Sequence, residues 1–279
     1  MQTMSQSFPK ITAENTRPIN LGLNLNYPDL ASPDNHKLQS PPPQKYRIRK
    51  NLDSNSDHTT ESNCLLQRNG YSIHLVNSFK QRIKASTLIK RMYASRGYQT
   101  ENTSVFSATP YQYTFETRNG QQLLGTLTLI IDSDDGLLAD QLYKPEIDFF
   151  RKTGKKVCEI SKLAFNPNSS SKEIFASLFH IAYLYAHFIH GVEHGFIEIN
   201  PRHASFYKRM LGFQKIGERR ICQRVNAAAV LLHLDLDHMK NQILSAAKPD
   251  KHKEKSLYPY FLTATEEEKI KLCYCCPIN

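Results

Sequence analysis

Glu159 is a residue whose type and position suit acid–base chemistry. It stands in the middle of residues 157–165, which alternate like a β-strand and place the carboxylate among apolar side chains. Burial disfavours the charged form of a carboxylate and raises its pKa, which suits a general base. The alternative is a structural ion pair with Arg151 or Lys162.

Two other groups carry side chains that bind metals, and for both we predict no metal site. His187 and His190 would share one face of a helix, with His194 following, but no third ligand of fixed geometry accompanies them. The cysteines of residues 273–276 lack a second pair of ligands. Binding of a soft metal or lipidation of these cysteines is the weaker alternative.

The elements that must position Glu159 follow from periodicity and turn signals. An Asn-Gly turn at residues 118–120 joins two strands into an antiparallel hairpin, and Ser170 with Glu173 has the spacing of a capping box. The order of elements predicts a mixed α/β (α+β) fold. The predicted strands are 72–76, 111–116, 123–131, 157–165, 195–200 and 230–235, and the predicted helices are 79–93, 137–151, 170–190 and 203–211.

Composition divides the chain into three parts. Residues 1–70 are rich in Asn, Ser and Pro, so they cannot bury enough surface to offset the entropy of ordering, and we predict disorder. Residues 71–240 hold the predicted elements and form one folded domain. Residues 241–279 are polar and rich in Lys, and we expect a partly mobile tail.

The most specific pattern lies in residues 199–217. A strand ends in Asn200, a short helix carries Phe206 and Tyr207, and Gly212 opens the next strand. This pattern resembles a segment of the GNAT (Gcn5-related N-acetyltransferase) enzymes, and an ordinary strand–helix–strand crossover is the alternative. The resemblance implies the GNAT fold, a mixed and mostly antiparallel central sheet flanked by helices.

A second set of motifs narrows the resemblance. The motifs are residues 91–98, residues 136–140, Tyr143, Glu146, residues 159–164, Asn200 with Pro201, Phe206 with Tyr207, Arg224 with Val225, and residues 231–235. They look like those of the N-acyl amino acid synthases, which are similar in fold to the acyl-homoserine lactone synthases. This resemblance covers roughly residues 83–236 and leaves both ends of the chain unexplained.

The resemblance implies transfer of a long-chain acyl group from the thioester of an acyl carrier protein to the amine of an amino acid or similar small amine. Glu159 would then be the base or the carboxylate that binds the amine. Tyr207 would protonate the leaving thiolate or simply pack in the core. Backbone N–H groups of residues 163–166 would stabilise the oxyanion. The residues expected at the substrate site are Arg91, Tyr98, Asp140, Ser161, Lys162, Leu163, Ala164, Asn200 and Phe206.

Two features bear on the reaction within this resemblance. Acyl-homoserine lactone synthases usually have Arg where this chain has Lys162, and Lys cannot make the same bidentate contact, which argues against lactone-type chemistry. Residues 166–171 lack the Gly-rich loop whose amides hold the pyrophosphate of coenzyme A. We therefore expect a phosphopantetheine thioester as donor substrate and no separate cofactor. Asn200 would orient the pantetheine arm or cap the next helix.

Charge and cysteine usage bear on partners and location. The net charge is +10, from 36 Lys and Arg against 26 Asp and Glu, which suits an acidic carrier protein or peripheral contact with an anionic membrane. A basic protein without such a partner is the alternative, and we expect no nucleic acid. Residues 1–10 lack the apolar core of a signal peptide, and the six cysteines show no disulfide spacing. We expect a cytoplasmic location.

Two other functions stay open at this stage. An acyl-CoA-dependent N-acyltransferase with a degenerate loop is one. A GNAT-fold module that has lost catalysis and presents a basic surface to a partner is the other. Glu159, Asn200 and Tyr207 favour an enzyme, whereas the missing glycines of residues 166–171 suit either alternative.

Overall fold

The computed structural model describes residues 63–101, 105–106, 109–167, 169, 171–246 and 256–275, with side chains up to residue 272. Most of the predicted disordered segment, residues 1–62, lies outside the described residues. The side chains of the cysteine cluster at residues 273–276 lie outside them as well.

The described residues form nine strands and six helices. The strands are β1 (Cys64–Arg68), β2 (Tyr71–Leu75), β3 (Gln112–Asn119), β4 (Gln122–Ile131), β5 (Val157–Phe165), β6 (His194–Ile199), β7 (Gln214–Lys215), β8 (Arg220–Cys222) and β9 (Ala227–Asp235). The helices are α1 (Phe79–Ala94), α2 (Asp140–Arg151), α3 (Lys172–Tyr183), α4 (Ala204–Leu211), α5 (Leu236–Ala246) and α6 (Ala264–Cys275). A π-helical turn, Leu184–Ile189, prolongs α3.

The strands pair in the order β1-β2-β3-β4-β5-β6-β9-β7, and β8 also pairs with β9. Neighbouring strands are antiparallel except β5 and β6, which are parallel. The expected mixed, mostly antiparallel sheet flanked by helices is confirmed. The predicted hairpin is β3–β4, but Asn119 pairs with Gln122, so the turn is Gly120 and Gln121, one residue later than predicted. Gly120 supplies the positive φ of +55° that this turn requires.

Side-chain caps fix where two helices begin. Ser78 accepts a hydrogen bond from the backbone N–H of Gln81, and the Gln81 side chain accepts one from the Ser78 N–H, a capping box that starts α1. Ser171 accepts from the N–H of Ile174 at 3.1 Å and starts α3. The predicted cap at Ser170 was one residue early. Ser171 caps the helix through its own hydroxyl, without the Glu three residues later on which the capping-box prediction relied.

Helices cover both faces of the sheet. The helix α3, its π-helical turn and α5 bury one face, with Leu127 and Leu129 of β4 beneath them. On the other face α2 packs Tyr143 and Ile147 against β6 and β9, and α1 packs on β4 and β5. No helix within the described ranges has both the length and the apolar content that crossing a bilayer demands.

Two segments assigned by composition to the flanks belong to the folded domain. Strand β1 lies in the segment predicted to be disordered, yet it pairs with β2. The C-terminal region holds α5, a turn and α6, and it buries Tyr258, Phe261, Leu262 and Ile270 against the core. The tail prediction was wrong there because a few well-spaced apolar residues suffice to dock a segment whose average composition is polar.

Arg68 joins the first strand to the last helix. Its Nε and Nη2 atoms donate to the two carboxylate oxygens of Glu266 at 2.8 and 2.7 Å, and Nη1 donates to Glu173 at 3.1 Å. Arg68 and Glu266 are mostly buried, so this bidentate pair is shielded from water. Arg68 holds the pKa of Glu266 down at about 2.

We predict that Arg68→Met lowers the free energy of unfolding by about 2 kcal/mol at neutral pH, because it removes charge-assisted hydrogen bonds. The depressed pKa of Glu266 means that its share of this stability is present above about 4.5 and is lost as the pH falls toward 2. Urea unfolding across this range is the measurement, with the exposed Arg209→Met as control. A variant as stable as the wild type at neutral pH would contradict the role of Arg68.

Candidate active site

The parallel strands β5 and β6 pair over three residues and then part. Residues 157–159 pair with residues 194–196. Beyond them β5 continues alongside β4, and β6 continues alongside β9. A cleft therefore opens between the two strands directly after Glu159.

A β-bulge in β5 shapes this cleft. Two residues of β5, Lys162 and Leu163, oppose a single residue of β4, Leu127. Lys162 takes a positive φ of +51°, in the left-handed region that a lysine seldom occupies. In a regular strand, positions three apart lie on opposite faces, so the extra residue allows Lys162 to share the side of Glu159.

Glu159 is 1% exposed and lies at the closed end of the cleft. Its Oε2 atom accepts a hydrogen bond from the backbone N–H of Ala139, just before α2, at 2.9 Å. Burial raises the pKa of Glu159 to about 7, while the Ala139 hydrogen bond and the charge of Arg224 oppose the rise. A carboxyl group with this pKa can both accept and hold a proton near neutral pH.

Lys162 and Arg224 bring positive charge to the same region. Burial lowers the pKa of Lys162 to about 8, and the charge of Glu159 opposes this shift. Arg224 is fixed in place, because its Nη2 atom lies 2.9 Å from Oε1 of Glu198 and its Nη1 atom donates to the carbonyl of Leu138. The cleft thus holds both signs of charge, which suits a substrate that itself carries both.

Two tyrosines at the end of α1 lie beside these charges. The rings of Tyr93 and Tyr98 meet edge to face, with centroids 5.8 Å apart. Burial raises the pKa of Tyr93, and the charges of Glu159 and Arg224 also act on it. The hydroxyl of Tyr98 accepts a hydrogen bond from Nη2 of Arg202 at 3.1 Å. This contact links the end of α1 to the turn that follows β6.

Tyr207 of α4 lies within an aromatic cluster. Burial raises its pKa, and Tyr93 is close enough to contribute to the shift. The phenol is therefore protonated at neutral pH and able to donate a proton. The rings around Tyr207 belong to Phe175, Phe179, Phe206 and Phe213. The expected catalytic role of Tyr207 stays a prediction.

The backbone of β5 offers amide donors beyond the bulge. The N–H of Asn166 donates to the carbonyl of Leu124 in β4 at 2.8 Å, so it points away from the cleft. Successive N–H groups of a regular strand point to opposite neighbours, so that of Phe165, next to Asn166, points toward the edge where β6 has departed. The bulge interrupts this alternation at Leu163, so the strand pairing supports Phe165 among the donors expected within residues 163–166. The ring of Phe165 lies over Gly125, where any side chain would collide with it.

Asp140 is engaged by Arg151 and by the backbone, although its charge also acts on the nearby Glu159. Both its oxygens accept hydrogen bonds from Arg151 at 2.8 Å, and Oδ2 also accepts from the N–H of Leu137 at 2.7 Å. These contacts fix the start of α2. Because Arg151 is engaged by Asp140 and other aspartates, the alternative ion pair between Arg151 and Glu159 is wrong.

The other expected substrate residues surround the cleft at different depths. Arg91 donates to the side chain of Asn166, which ties α1 to the end of β5. Asn200 accepts from the N–H of Arg202 at 3.2 Å, as a helix cap does. Ser161 lies partly buried in β5. Ala164 packs against α1, and Phe206 is partly exposed. Their contacts with a substrate stay predictions.

The three histidines considered for a metal do not converge. His187 bonds through Nδ1 to the carbonyl of Val192 at 2.9 Å, and His194 bonds to His233 at 3.1 Å. The ring of His190 lies tilted beside that of Tyr113, with centroids 5.2 Å apart. Within the described part of the chain, no group of three or more His, Cys, Asp or Glu is placed to hold a metal ion.

Sequence reasoning missed the ion pair of Arg224 with Glu198 and the contact of Ala139. Glu198 alternates with apolar residues in β6 just as Glu159 does in β5, so the same signal could have found it. Its partner could not be read from the sequence, because Arg224 lies beyond two further strands. The contact of Ala139 could not be predicted either, because it is made by a backbone N–H group and not by a side chain.

Comparisons with known proteins bear on the family and the fold of this chain. The model of the family described as N-acyl amino acid synthase FeeM matches residues 84–235. The structure of FeeM, an N-acyl amino acid synthase from uncultured soil microbes, is similar at 29% identity and a TM-score of 0.57, over 61% of this chain and 94% of that one. Among proteins with curated descriptions, none matches.

Two more distant structures are also similar. A putative N-acetyltransferase from Lactobacillus plantarum has 16% identity and a TM-score of 0.45, over 60% of this chain and 99% of that one. The acyl-homoserine lactone (AHL) synthase LasI has 12% identity and a TM-score of 0.42, over 60% of this chain and 89% of that one.

Proposed function

Because the chain belongs to the N-acyl amino acid synthase FeeM family, we propose that it moves a long-chain acyl group from an acyl carrier protein thioester to the amine of an amino acid. Family membership makes the chain a GNAT-fold N-acyltransferase. The donor, the acceptor and the roles of individual residues are our proposal. The observation that carries it is the buried Glu159 at the point where β5 and β6 part, within the matched residues.

Glu159 is the proposed general base. An amino acid enters with a protonated amine, which cannot attack until it loses a proton. Glu159 accepts that proton, directly or through a water molecule, and its pKa of about 7 lets it do so near neutral pH. The freed nitrogen then forms a bond to the thioester carbon. Because Ala139 fixes one carboxylate oxygen, the other oxygen is left to face the amine.

The carbonyl oxygen of the thioester becomes negatively charged when the nitrogen attacks. The N–H groups of Leu163 and Phe165 are the proposed donors to this oxyanion. The C–S bond then breaks, and the thiolate takes a proton from Tyr207, whose buried phenol is protonated. The nitrogen loses its second proton to solvent. Glu159 then releases its proton and Tyr207 regains one, both by exchange through water, so the net products are an amide, a thiol and one released proton.

Lys162 is the proposed partner of the acceptor's carboxylate. The carboxylate of an α-amino acid lies about one residue length from its amine, and the bulge brings Lys162 to the side of the cleft that holds Glu159. Tyr93 and Tyr98 would pack beside the rest of the acceptor, since both rings lie near these charges. An acceptor held by a base at one end and a cation at the other has a fixed orientation for attack.

The proposed donor arm enters near the start of α3. The loop of residues 166–171 has no glycine, so few amides are placed for a pyrophosphate, whereas the single phosphate of phosphopantetheine needs fewer donors. Exposed cations lie on the nearby α4, at Lys208 and Arg209. An acidic carrier protein would meet complementary charge there.

Lipid extracts from cells that express the protein test this function. We expect N-acyl amino acids, detected by mass spectrometry, in cells with the wild-type protein and a large loss of them in cells with Glu159→Gln. The control is Glu146→Gln, a matched change at a carboxylate bound to Arg220. Equal amounts of N-acyl amino acids in extracts from cells without the protein and from cells with the wild-type protein would favour a non-catalytic module.

A further inference from the structure

The exposed side of α1 combines apolar and basic residues. We call it the α1 face, formed by Phe79, Lys80, Ile83, Lys84, Thr87, Lys90 and Arg91. At 3.6 residues per turn these positions fall on one arc of the helix, and all of them are exposed. The opposite arc, with Ala85, Leu88 and Ile89, is buried on the sheet.

The cations of the α1 face differ from most arginines of the domain. Arg68, Arg118, Arg151, Arg220 and Arg224 each pair with a carboxylate. Within the described ranges, none of the four cations of the α1 face lies within ion-pair distance of an Asp or Glu. The sequence of α1 itself contains no acidic residue. The charge of Lys84 also acts on the buried Glu116, which already pairs with Arg118, so the strip keeps an excess of positive charge that suits an external anionic surface.

The apolar residues of the α1 face project into solvent at its first turns. Phe79 is 71% exposed and Ile83 is 46% exposed. Phe106, 43% exposed, extends the patch, because its ring centroid lies 5.4 Å from that of Phe79. Exposed apolar residues grouped in this way mark a surface that makes contacts outside the molecule.

From these observations we propose that the α1 face lies on an anionic lipid bilayer. Aromatic and aliphatic side chains at one end would enter the boundary between head groups and acyl chains, while the four cations meet the lipid phosphates. A helix resting on the sheet presents a convex surface, which fits a flat bilayer. The function proposed above is not needed for this inference, although an N-acyl amino acid would partition into the same membrane.

Co-sedimentation of the full chain with lipid vesicles tests the proposal. We expect binding to phosphatidylcholine vesicles that contain phosphatidylglycerol to exceed binding to pure phosphatidylcholine by about tenfold at low salt, and to weaken as salt rises. Lys80→Glu with Lys84→Glu should remove this preference. Phe79→Ser with Ile83→Ser should weaken binding about tenfold, because both inserted side chains are lost.

Two matched controls separate the α1 face from general effects. Lys208→Glu with Arg209→Glu on α4 makes the same change in net charge, and Phe149→Ser removes an equally exposed aromatic ring from α2. Both should leave vesicle binding unchanged. Equal loss of binding in the α4 pair and the α1 pair, or no preference for anionic vesicles, would overturn the proposal. So would normal vesicle binding by α1 variants that no longer bind an acidic carrier protein.

Discussion

Replacing Glu159 by Gln is expected to lower the rate of acyl transfer by about 100-fold or more, because the variant keeps the volume of the side chain but cannot take a proton. The wild-type kcat/KM should rise with pH and level off above about 7, the pKa of the buried Glu159. In the variant this rise should be absent. Steady-state rates across the pH range, with purified protein, measure both effects.

The same variant, although less active, is expected to be stabilised relative to the wild type at high pH. The pKa of Glu159 is raised from 4.5 to about 7 on folding, so its favourable contribution is fully present below about 4.5 and is lost as the pH rises through 7. Above that pH the ionised carboxylate costs the wild type about 3 kcal/mol, and the uncharged amide of the variant avoids this cost. Urea unfolding at about pH 5 and about pH 9 should therefore show that the free energy of unfolding of the variant, relative to that of the wild type, increases with pH.

Greater stability with lower activity in one variant would distinguish a functional carboxylate from a structural one. Glu146→Gln is the matched control, since it breaks the pair with Arg220 and should lower stability with little change in rate. A Glu159→Gln variant that transfers acyl groups at the wild-type rate would contradict the role of Glu159. The base would then have to be sought in ordered water or in another group.

Replacing Lys162 by Met is expected to abolish the enzyme's preference for acceptors with a free carboxylate. We expect the wild type to favour an amino acid over its amide by about 30-fold in kcat/KM, the size of one charge-assisted hydrogen bond. In Lys162→Met the ratio should fall to about one, whereas Lys162→Arg should retain part of it. Burial lowers the pKa of Lys162 to about 8. Because Lys162 loses its charge above that pH, the KM for the amino acid should rise there.

The ratio of kcat/KM for the amino acid to kcat/KM for its amide measures recognition of the carboxylate charge. If the role of Lys162 were purely structural, its replacement would not change this ratio. Lys144→Met, which breaks an exposed pair with Asp148, is the matched control and should leave the ratio unchanged. Equal use of the amino acid and its amide by the wild type would contradict the role of Lys162, even if the transferase activity itself is present.

The sequence was most informative where local pattern and burial coincide. The alternation around Glu159 predicted β5 and its bounds, and the hairpin β3–β4 followed from Asn119 and Gly120. The bulge at Lys162 was not predictable, because it depends on how β5 pairs with β4 and not on the residues of β5 alone. The turn and the cap of α3 were each displaced by one residue. Gly120 suits either position of a two-residue turn, and the hydroxyl of Ser171 caps a helix without a Glu three residues later.

The other features that could not be predicted depend on contacts between residues far apart in the sequence. Helix α6 looked like part of a polar tail, and its attachment depends on Arg68, nearly 200 positions earlier in the chain. The fixed position of Arg224 depends on Glu198 in another strand. Neither of these two pairings could be predicted from the spacing of the residues in the sequence. The motifs that carry the family resemblance include strand β5, at which the cleft opens, and the site that they predict stays a prediction.

Incubation of the purified protein with a long-chain acyl group loaded on an acyl carrier protein and a mixture of the twenty amino acids tests the central claim most directly. Mass spectrometry should find an N-acyl amino acid, formed faster from the carrier thioester than from the same acyl group on coenzyme A. Faster reaction with the coenzyme A thioester would contradict the proposed donor. No product from either donor would contradict the proposed reaction.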